Sequence, residues 1–165
     1  MPRTQSLAGG TLCLDVVNIG IHPHGDEGQD GGQRAPAVVA RIERFRTALR
    51  RLLVAEARGE GAAPDDVAAL NRILSAAGAR RGLVSTVRGF GWGWLDEPAE
   101  VEQFLWRVAF SAARLLEGPD LVRLKTCGGC GRLFLDASRN RSRRWCDMQS
   151  CGNRAKAARH RARKD

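Results

Sequence analysis

Two cysteine pairs, Cys127-Gly128-Gly129-Cys130 and Cys146-Asp147-Met148-Gln149-Ser150-Cys151, decide the fold of the C-terminal part of this chain. Fifteen residues separate the pairs, which is close to the spacing of four-cysteine zinc sites. The glycines of the first pair allow a tight turn that brings backbone amides near the sulfurs. A tetrahedral Zn2+ takes four thiolates and then has no position for water. The sequence therefore predicts one structural ion, bound by Cys127, Cys130, Cys146 and Cys151.

Two disulfides, or a coincidental spacing, are the alternatives to a metal site. The chain has five cysteines, an odd number that leaves Cys13 over, and close thiol pairs in a reducing compartment favour metal binding. Residues 1–6 do not lead into a signal-peptide core, and no apolar run is long enough to span a bilayer. We therefore expect a cytoplasmic, nucleoid-associated protein without a membrane partner.

The segment between the cysteine pairs predicts a small hairpin. Arg132–Asp136 and Arg143–Cys146 have the pattern of two short strands, which residues 137–142 would join. Phe134 and Trp145 would supply most of the hydrophobic core of this module. A zinc-binding turn, a hairpin and a helix that begins at the fourth cysteine form a treble-clef-like arrangement.

The basic charge of the chain is concentrated at one end. Residues 1–122 contain 14 Lys/Arg and 15 Asp/Glu, whereas residues 123–165 contain 13 and 3, so the net charges are −1 and +10. A near-neutral part followed by a strongly basic part is the asymmetry expected of a nucleic-acid-binding protein, and an anionic membrane surface is the lesser option. We call residues 1–122 the body and residues 123–165 the finger, and we expect them to be two domains.

The end of the finger predicts a basic helix, because residues 153–164 are rich in the helix formers Ala, Arg and Lys. Ala155, Ala158 and Ala162 fall on one narrow stripe between two rows of cations. That stripe would either approach a phosphate-lined groove or pack on the finger. Because the cations repel one another and the helix is short, we expect it to become fully ordered only on a polyanion.

The expected partner of this basic surface is DNA. The alternative is an RNA- or ribosome-associated zinc-binding module, which is less favoured because nothing in the sequence reads a 2′-hydroxyl or stacks bases in a row. Asn153 and Arg154, near the start of the helix, are candidates for contacts to base edges, while the other candidates would contact phosphates. The full candidate set is Arg139, Arg141, Arg143, Arg144, Asn153, Arg154, Lys156, Arg159, Arg161 and Arg163.

The body is predicted to be mostly helical with one small β-hairpin, which makes the whole chain α+β. Apolar periodicity predicts long helices over residues 36–58, 64–78 and 98–117, and a β-branched and aromatic stretch predicts the hairpin over residues 83–95. A short buried helix is expected over residues 11–19, with Leu12, Val16 and Ile19 on its apolar stripe. Asp15 and Asn18, three residues apart, would meet on one side of that helix and could cap or hydrogen-bond a neighbouring segment; a ligand contact is the less favoured alternative.

Candidate catalytic groups are few, and none is assigned a catalytic role. Five polar residues lie in a Gly- and Pro-rich stretch that predicts a solvated loop: His22, His24, Asp26, Glu27 and Asp30. The thiol of Cys13 lies on an apolar stripe, where we expect it to be inert. The body has no Gly-rich phosphate loop, nucleophile elbow or paired-carboxylate signature. The sequence therefore favours a binding protein over an enzyme.

The stretch Asp136-Ala137-Ser138-Arg139-Asn140-Arg141-Ser142-Arg143-Arg144-Trp145-Cys146-Asp147-Met148-Gln149-Ser150-Cys151-Gly152-Asn153-Arg154-Ala155-Lys156 resembles the CGNR zinc finger, which is named for the four residues found here at 151–154. Upstream, Leu12-Cys13-Leu14-Asp15-Val16-Val17-Asn18 resembles the opening motif of the ABATE domain, which precedes this finger in bacterial stress-induced transcription regulators. Val16 or Val17 and Ile19 stand where Phe and Thr are more usual. The resemblance implies a DNA-binding regulator whose four cysteines bind zinc.

The role of the body is left open by these residues. We expect it either to sense a signal, through an unidentified small-molecule ligand, or to form a homodimer.

Overall fold

The computed structural model of the chain describes residues 11–19 and 36–162. Within these ranges the α+β class is confirmed: helices predominate and two small antiparallel sheets accompany them. The elements are α1 (Leu12–Asn18), α2 (Pro36–Arg58), α3 (Pro64–Gly78), β1 (Arg81–Thr86), β2 (Gly89–Trp94), α4 (Glu100–Glu117), β3 (Leu124–Thr126), β4 (Leu133–Leu135) and α5 (Asn153–Arg161). A 3-10 turn, Pro119–Arg123, follows α4, and a π-helical turn, Met148–Gly152, precedes α5.

Helices α2 and α3 have the predicted bounds, whereas α4 begins at Glu100, two residues after its predicted start. α3 has a proline at its first position and Asp65 and Asp66 in its first turn, where carboxylates complement the helix dipole. Asp66 is buried and accepts a hydrogen bond of 2.6 Å from Arg51 Nη2, which ties α3 to α2. Gly59, at φ +70°, lies directly after α2 in a conformation that suits glycine. None of the helices within the described ranges is long and apolar enough to cross a membrane.

Helix α1 is confirmed, but its predicted apolar stripe is wrong at one end. Ile19 is 61% exposed, because it follows the last helical residue and its extended backbone turns it away from the core. The helix packs against α2, α4 and β4, so most of its circumference is inside the protein. Its buried residues are Cys13, Leu14, Val16, Val17 and Asn18.

The core lies where α1, α2 and α4 meet. On α4 the fully buried residues Leu105, Val108, Ala109 and Ala112 recur at helical spacing and form one apolar face. The facing residues of α2, among them Leu49 and Leu53, are also buried. Because residues of α4 and Leu124 of the finger belong to this core, it positions both α4 and the start of the finger.

The predicted hairpin of the body is confirmed as β1 and β2, which pair antiparallel with Leu83 opposite Trp92. The hairpin is attached to the body at its base, where the ring of Trp94 lies 4.6 Å from that of the buried Trp106. Further along the hairpin, Phe90 and Trp92 are 77% and 73% exposed. The hairpin therefore presents aromatic surface outside the core.

The hairpin of the finger differs from the prediction. β4 is confirmed, but the expected partner strand at residues 143–146 is wrong. The partner is β3, with Leu124 opposite Leu135. The turn Cys127–Cys130 reverses the chain by itself and joins β3 to β4, so no later strand is needed. Residues 143–146 run alongside without a ladder, although Gly128 N donates to Arg144 O at 3.1 Å.

The finger is docked on the body through this hairpin. Leu124 and Leu133 belong to the same buried cluster as α1, α2 and α4. The buried Asn18 donates from Nδ2 to Leu133 O at 2.8 Å and accepts from Leu133 N at 3.0 Å. Arg50 Nη2 donates to Gly131 O at 2.9 Å. The core thus crosses residue 122, and the division into two domains at that point stays a prediction.

Candidate metal centre and nucleic-acid interface

The four cysteines predicted to bind metal lie together. Their sulfurs are all within 4.8 Å of one another. Cys146 Sγ lies 3.6 Å from Cys130 Sγ and 3.9 Å from Cys151 Sγ. A tetrahedral ion with Zn–S bonds of about 2.3 Å places its sulfurs about 3.8 Å apart, and a disulfide needs about 2.05 Å. All four thiols are free, and their geometry fits one structural zinc ion.

The first pair is positioned by a short turn between β3 and β4. Cys127 N donates to Arg132 O at 2.8 Å, and Gly131 N donates to Cys127 O at 2.9 Å. Gly131 has φ +73°, a conformation that a residue with a Cβ adopts only under strain. Gly129 N lies 3.5 Å from Cys127 Sγ, so the turn also directs a backbone donor at the sulfur.

The shifted pKa values of the four-cysteine cluster favour a bound cation. Burial raises the pKa of Cys127, but N–H groups of Cys146, Gly129 and Cys130 outweigh it and lower that pKa to about 6. Burial and the neighbouring sulfurs of Cys130 and Cys127 raise the pKa of Cys146, and burial also raises that of Cys130. Cys127 therefore ionises readily, and its negative charge opposes ionisation of the neighbouring thiols. A divalent cation allows all four to be ionised together.

The indole of Trp145 covers the zinc-binding turn and explains its glycines. A Cβ added to Gly128 would lie 3.2 Å from the Trp145 ring, and one added to Gly129 would lie 3.4 Å from it. On the other side, a Cβ on Gly152 would lie 3.4 Å from the same ring and 2.8 Å from Met148 Sδ. Trp145 thus fills the space between the two cysteine pairs, as the prediction of a Phe134 and Trp145 core required.

Asp136, which was not among the predicted site residues, is the buried carboxylate that organises the loop before the second pair. Asp136 accepts from Lys125 Nζ at 2.8 Å, from Ser138 N at 2.9 Å and from Arg143 N at 2.8 Å. Burial raises its pKa, but the Lys125 ammonium and the Ser138 and Arg143 donors hold that pKa well below its usual range. The spacing Asp136-x-Ser138 is typical of an Asx-turn and was the available signal.

The start of the terminal helix is fixed by Asp147. Its Oδ1 accepts from Ser150 N at 2.7 Å and from Ser150 Oγ at 2.8 Å. The Ser150 hydroxyl and amide lower the pKa of Asp147, so the capping carboxylate stays charged. Cys151 lies inside the turn that this cap stabilises, and α5 begins two residues later. The turn that contains the fourth ligand therefore runs directly into the basic helix.

The predicted nucleic-acid contacts fall into two groups. Six cations are exposed and, within the described ranges, form no ion pair: Arg139, Arg141, Arg144, Lys156, Arg159 and Arg161. One of these six, Arg144, also lies against an aromatic ring, with its Cζ 5.8 Å from the ring centroid of Trp145. Three other candidates have internal contacts. Arg143 stacks on Phe134 with its Cζ 5.4 Å from the ring centroid, Asn153 Nδ2 donates to Gln149 O at 3.0 Å, and Arg154 Nη2 lies 3.8 Å from Cys151 Sγ. Arg163 lies outside the described residues.

The candidate catalytic groups are not assembled into a site in the described ranges. Cys13 is fully buried in the core, and its N–H donates to Ser111 Oγ. His22 and His24, with Asp26, Glu27 and Asp30, lie outside the described residues.

These features define the class of protein: a zinc-finger protein with a closed four-cysteine site next to a helical body. Comparison with known families then gives the family. The CGNR zinc finger matches residues 123–164, and the ABATE family, described as "Putative stress-induced transcription regulator", matches residues 21–119. The second match spans more than half of the chain, which therefore belongs to the ABATE family. The motif at residues 12–18 precedes the matched range. A search of curated proteins finds no match.

Proposed function

We propose that this chain is a DNA-binding transcription regulator whose zinc finger places the cations of α5 and of the loop 137–144 against the DNA backbone. The observation that carries the proposal is the set of six exposed cations without ion pairs defined above, which lie within 23 residues of chain, three before and three after the second cysteine pair in the sequence. Basic side chains without carboxylate partners release counterions from DNA when they bind phosphates. The family matches, to a zinc finger and a transcription regulator, support the same class.

The exposure of α5 supports a direct role in binding. The helix has no buried residue, and Ala158 and Ala162 are exposed between its cations. Small side chains there would allow the backbone of the helix to approach a groove closely. We therefore assign phosphate contacts to Lys156, Arg159 and Arg161. The assignment of Asn153 and Arg154 to base edges stays a prediction, because both would first release the contacts that they make inside the finger.

The salt dependence of binding tests the proposal. For about five neutralised phosphates, log K should fall against log salt with a slope of about −4 to −5 on duplex DNA. In fluorescence anisotropy with a labelled duplex, the triple variant Lys156→Gln, Arg159→Gln, Arg161→Gln should make the slope less steep by about 2.5–3. The matched control is Arg58→Gln, Arg72→Gln, Arg88→Gln, which removes the same charge from exposed positions of the body.

Two results would contradict the proposal. If the DNA affinity does not change with salt concentration, the protein does not bind through phosphate contacts. If the triple variant and its control have equal slopes of log K against log salt, the phosphate contacts do not come from α5. Unlabelled RNA duplex in the same assay tests the alternative, because RNA that competes better than DNA would identify RNA as the partner.

For the body we propose the sensing role. The alternative, a homodimer, stays a prediction that the mass of the protein in solution tests. Residence in the cytoplasm, at the nucleoid, follows from the proposed DNA partner.

A further inference from the structure

We propose that a cleft of about 870 Å³ in the body binds a small organic anion with a planar aromatic ring, of the aryl carboxylate class. The cleft lies between β2, the outer face of α4 and the turn that follows α4. Its volume is in the range of small-molecule sites. We call it the aromatic cleft, and the residues that carry the argument are Arg81, Trp92, Trp94, Arg107, Phe110 and Arg114.

The periodicity of α4 brings the polar groups to one side. Arg107, Ser111 and Arg114 are spaced by four and three residues and therefore share one face of the helix. That face is opposite to the buried face formed by Leu105 and Ala112. The two arginines are exposed and, among the described residues, have no carboxylate partner. This side of the helix thus presents two free guanidinium groups to the cleft.

A third guanidinium is held in place by aromatic rings. The Cζ of Arg81 lies 5.3 Å from the centroid of Trp94 and 5.7 Å from that of Phe110. Stacking uses the faces of a guanidinium and leaves its N–H edge available, and this edge matches a carboxylate with two parallel hydrogen bonds. In the described ranges Arg81 forms no ion pair. Its stacked position reduces the entropy that binding an anion would cost.

Among the described residues, no carboxylate neutralises the arginines that line the cleft. The carboxylate that lines it, Asp120, lies 3.4 Å from Arg123 and is paired with that residue. Ser111 also lines the cleft, and its Oγ accepts from Cys13 N at 3.1 Å, so the hydroxyl hydrogen remains free to donate to an oxygen of the ligand. The cleft therefore offers donors and an excess of positive charge to an anion.

The ring specificity comes from the indole of Trp92. This side chain lines the cleft, yet it is 73% exposed, which leaves a large apolar face uncovered. A planar ring stacked on it would bury that face while its carboxylate met the arginines. An inorganic anion would contact only the arginines, and an uncharged ring would contact only the indole of Trp92.

This inference gives a ligand class to the sensing role proposed above and rests on that role. The experiment is made without DNA, so that its failure and failure of DNA binding are distinguishable. The probe is 1-naphthoate, titrated into the full chain by calorimetry. We expect one site per chain. The double variant Arg107→Gln, Arg114→Gln should weaken binding at least tenfold, and Trp92→Ala should weaken it at least fivefold.

Matched controls distinguish binding in the aromatic cleft from a general effect of positive charge. Arg58→Gln with Arg72→Gln removes the same charge outside the cleft and should change affinity less than twofold. Uncharged 1-naphthalenemethanol should bind at least tenfold more weakly than 1-naphthoate, and inorganic phosphate at equal concentration should not displace it. The proposal is overturned if 1-naphthoate does not bind, if the uncharged analogue binds as tightly, or if the double variant and its control bind alike while both keep the wild-type circular dichroism spectrum.

Discussion

Replacing Asn18 by alanine removes the side chain that joins α1 to β4, and the structure sets the size of the effect. Asn18 and Leu133 are 4% and 1% exposed, so water does not reach the bonds between them. The substitution leaves the N–H and the C=O of Leu133 without these partners. Each buried group left unsatisfied costs about 1–3 kcal/mol, which gives for the two groups a loss of about 2–6 kcal/mol in the free energy of unfolding.

Urea denaturation with zinc present throughout, followed by circular dichroism, measures this loss. Hydrogen exchange of the Leu133 amide should also become faster in the variant, because the opening that exposes it needs less energy. The matched control is Asn71→Ala, which removes the same side chain from an exposed position on α3 and should change the free energy by no more than about 0.5 kcal/mol. The reasoning is refuted if Asn18→Ala is as stable as this control.

Two further predictions concern the finger. Removal of zinc with a chelator should unfold the cysteine turns, and it should also lower the midpoint of thermal unfolding of the body, because Leu124 and Leu133 belong to the shared core; an unchanged body midpoint in the metal-free protein argues against this coupling. The second concerns pH. The pKa of Asp136 is lower in the folded chain than its unfolded value of about 3.9, so its stabilising contribution is complete above that value and is lost as pH falls through the folded pKa. The difference in free energy of unfolding between wild type and Asp136→Asn should therefore shrink as pH falls below about 4, and a difference that is constant with pH contradicts the ion pair with Lys125.

The sequence was a good guide wherever the signal was local. Pro36–Arg58 and Pro64–Gly78 have the predicted bounds, because apolar spacing, an initial proline and a following glycine determine a helix within its own length. The zinc site could also be predicted from the sequence, since four cysteines at this spacing have few other functions. The basic character of α5 follows from composition alone.

The errors arose where partners are distant along the chain. The partner of β4 could not be chosen from strand propensity, because the cysteine turn that joins it to β3 is itself a hairpin connection. A hydrogen bond from Asn18 was expected, but its partner Leu133 lies 115 residues away and could not be chosen from the sequence. Asp136 was missed, and its partner Lys125 lies 11 residues away. Arg51 lies on the exposed side of α2, and its bond to Asp66 exists only because α3 packs against α2. Tertiary contacts of this kind have no short-range signature.

The shared core has a practical consequence for anyone who wishes to study the finger as an isolated fragment. A polypeptide cut before residue 123 would expose the side chains of Leu124 and Leu133 to water, although both are nearly inaccessible in the whole chain. It would also lose the amide of Asn18 and the guanidinium of Arg50 from its backbone. Such a fragment would present apolar surface beside a strongly cationic helix, a combination that favours aggregation and adhesion to nucleic acid of any sequence. DNA affinities measured on it would overstate non-specific binding relative to the intact protein.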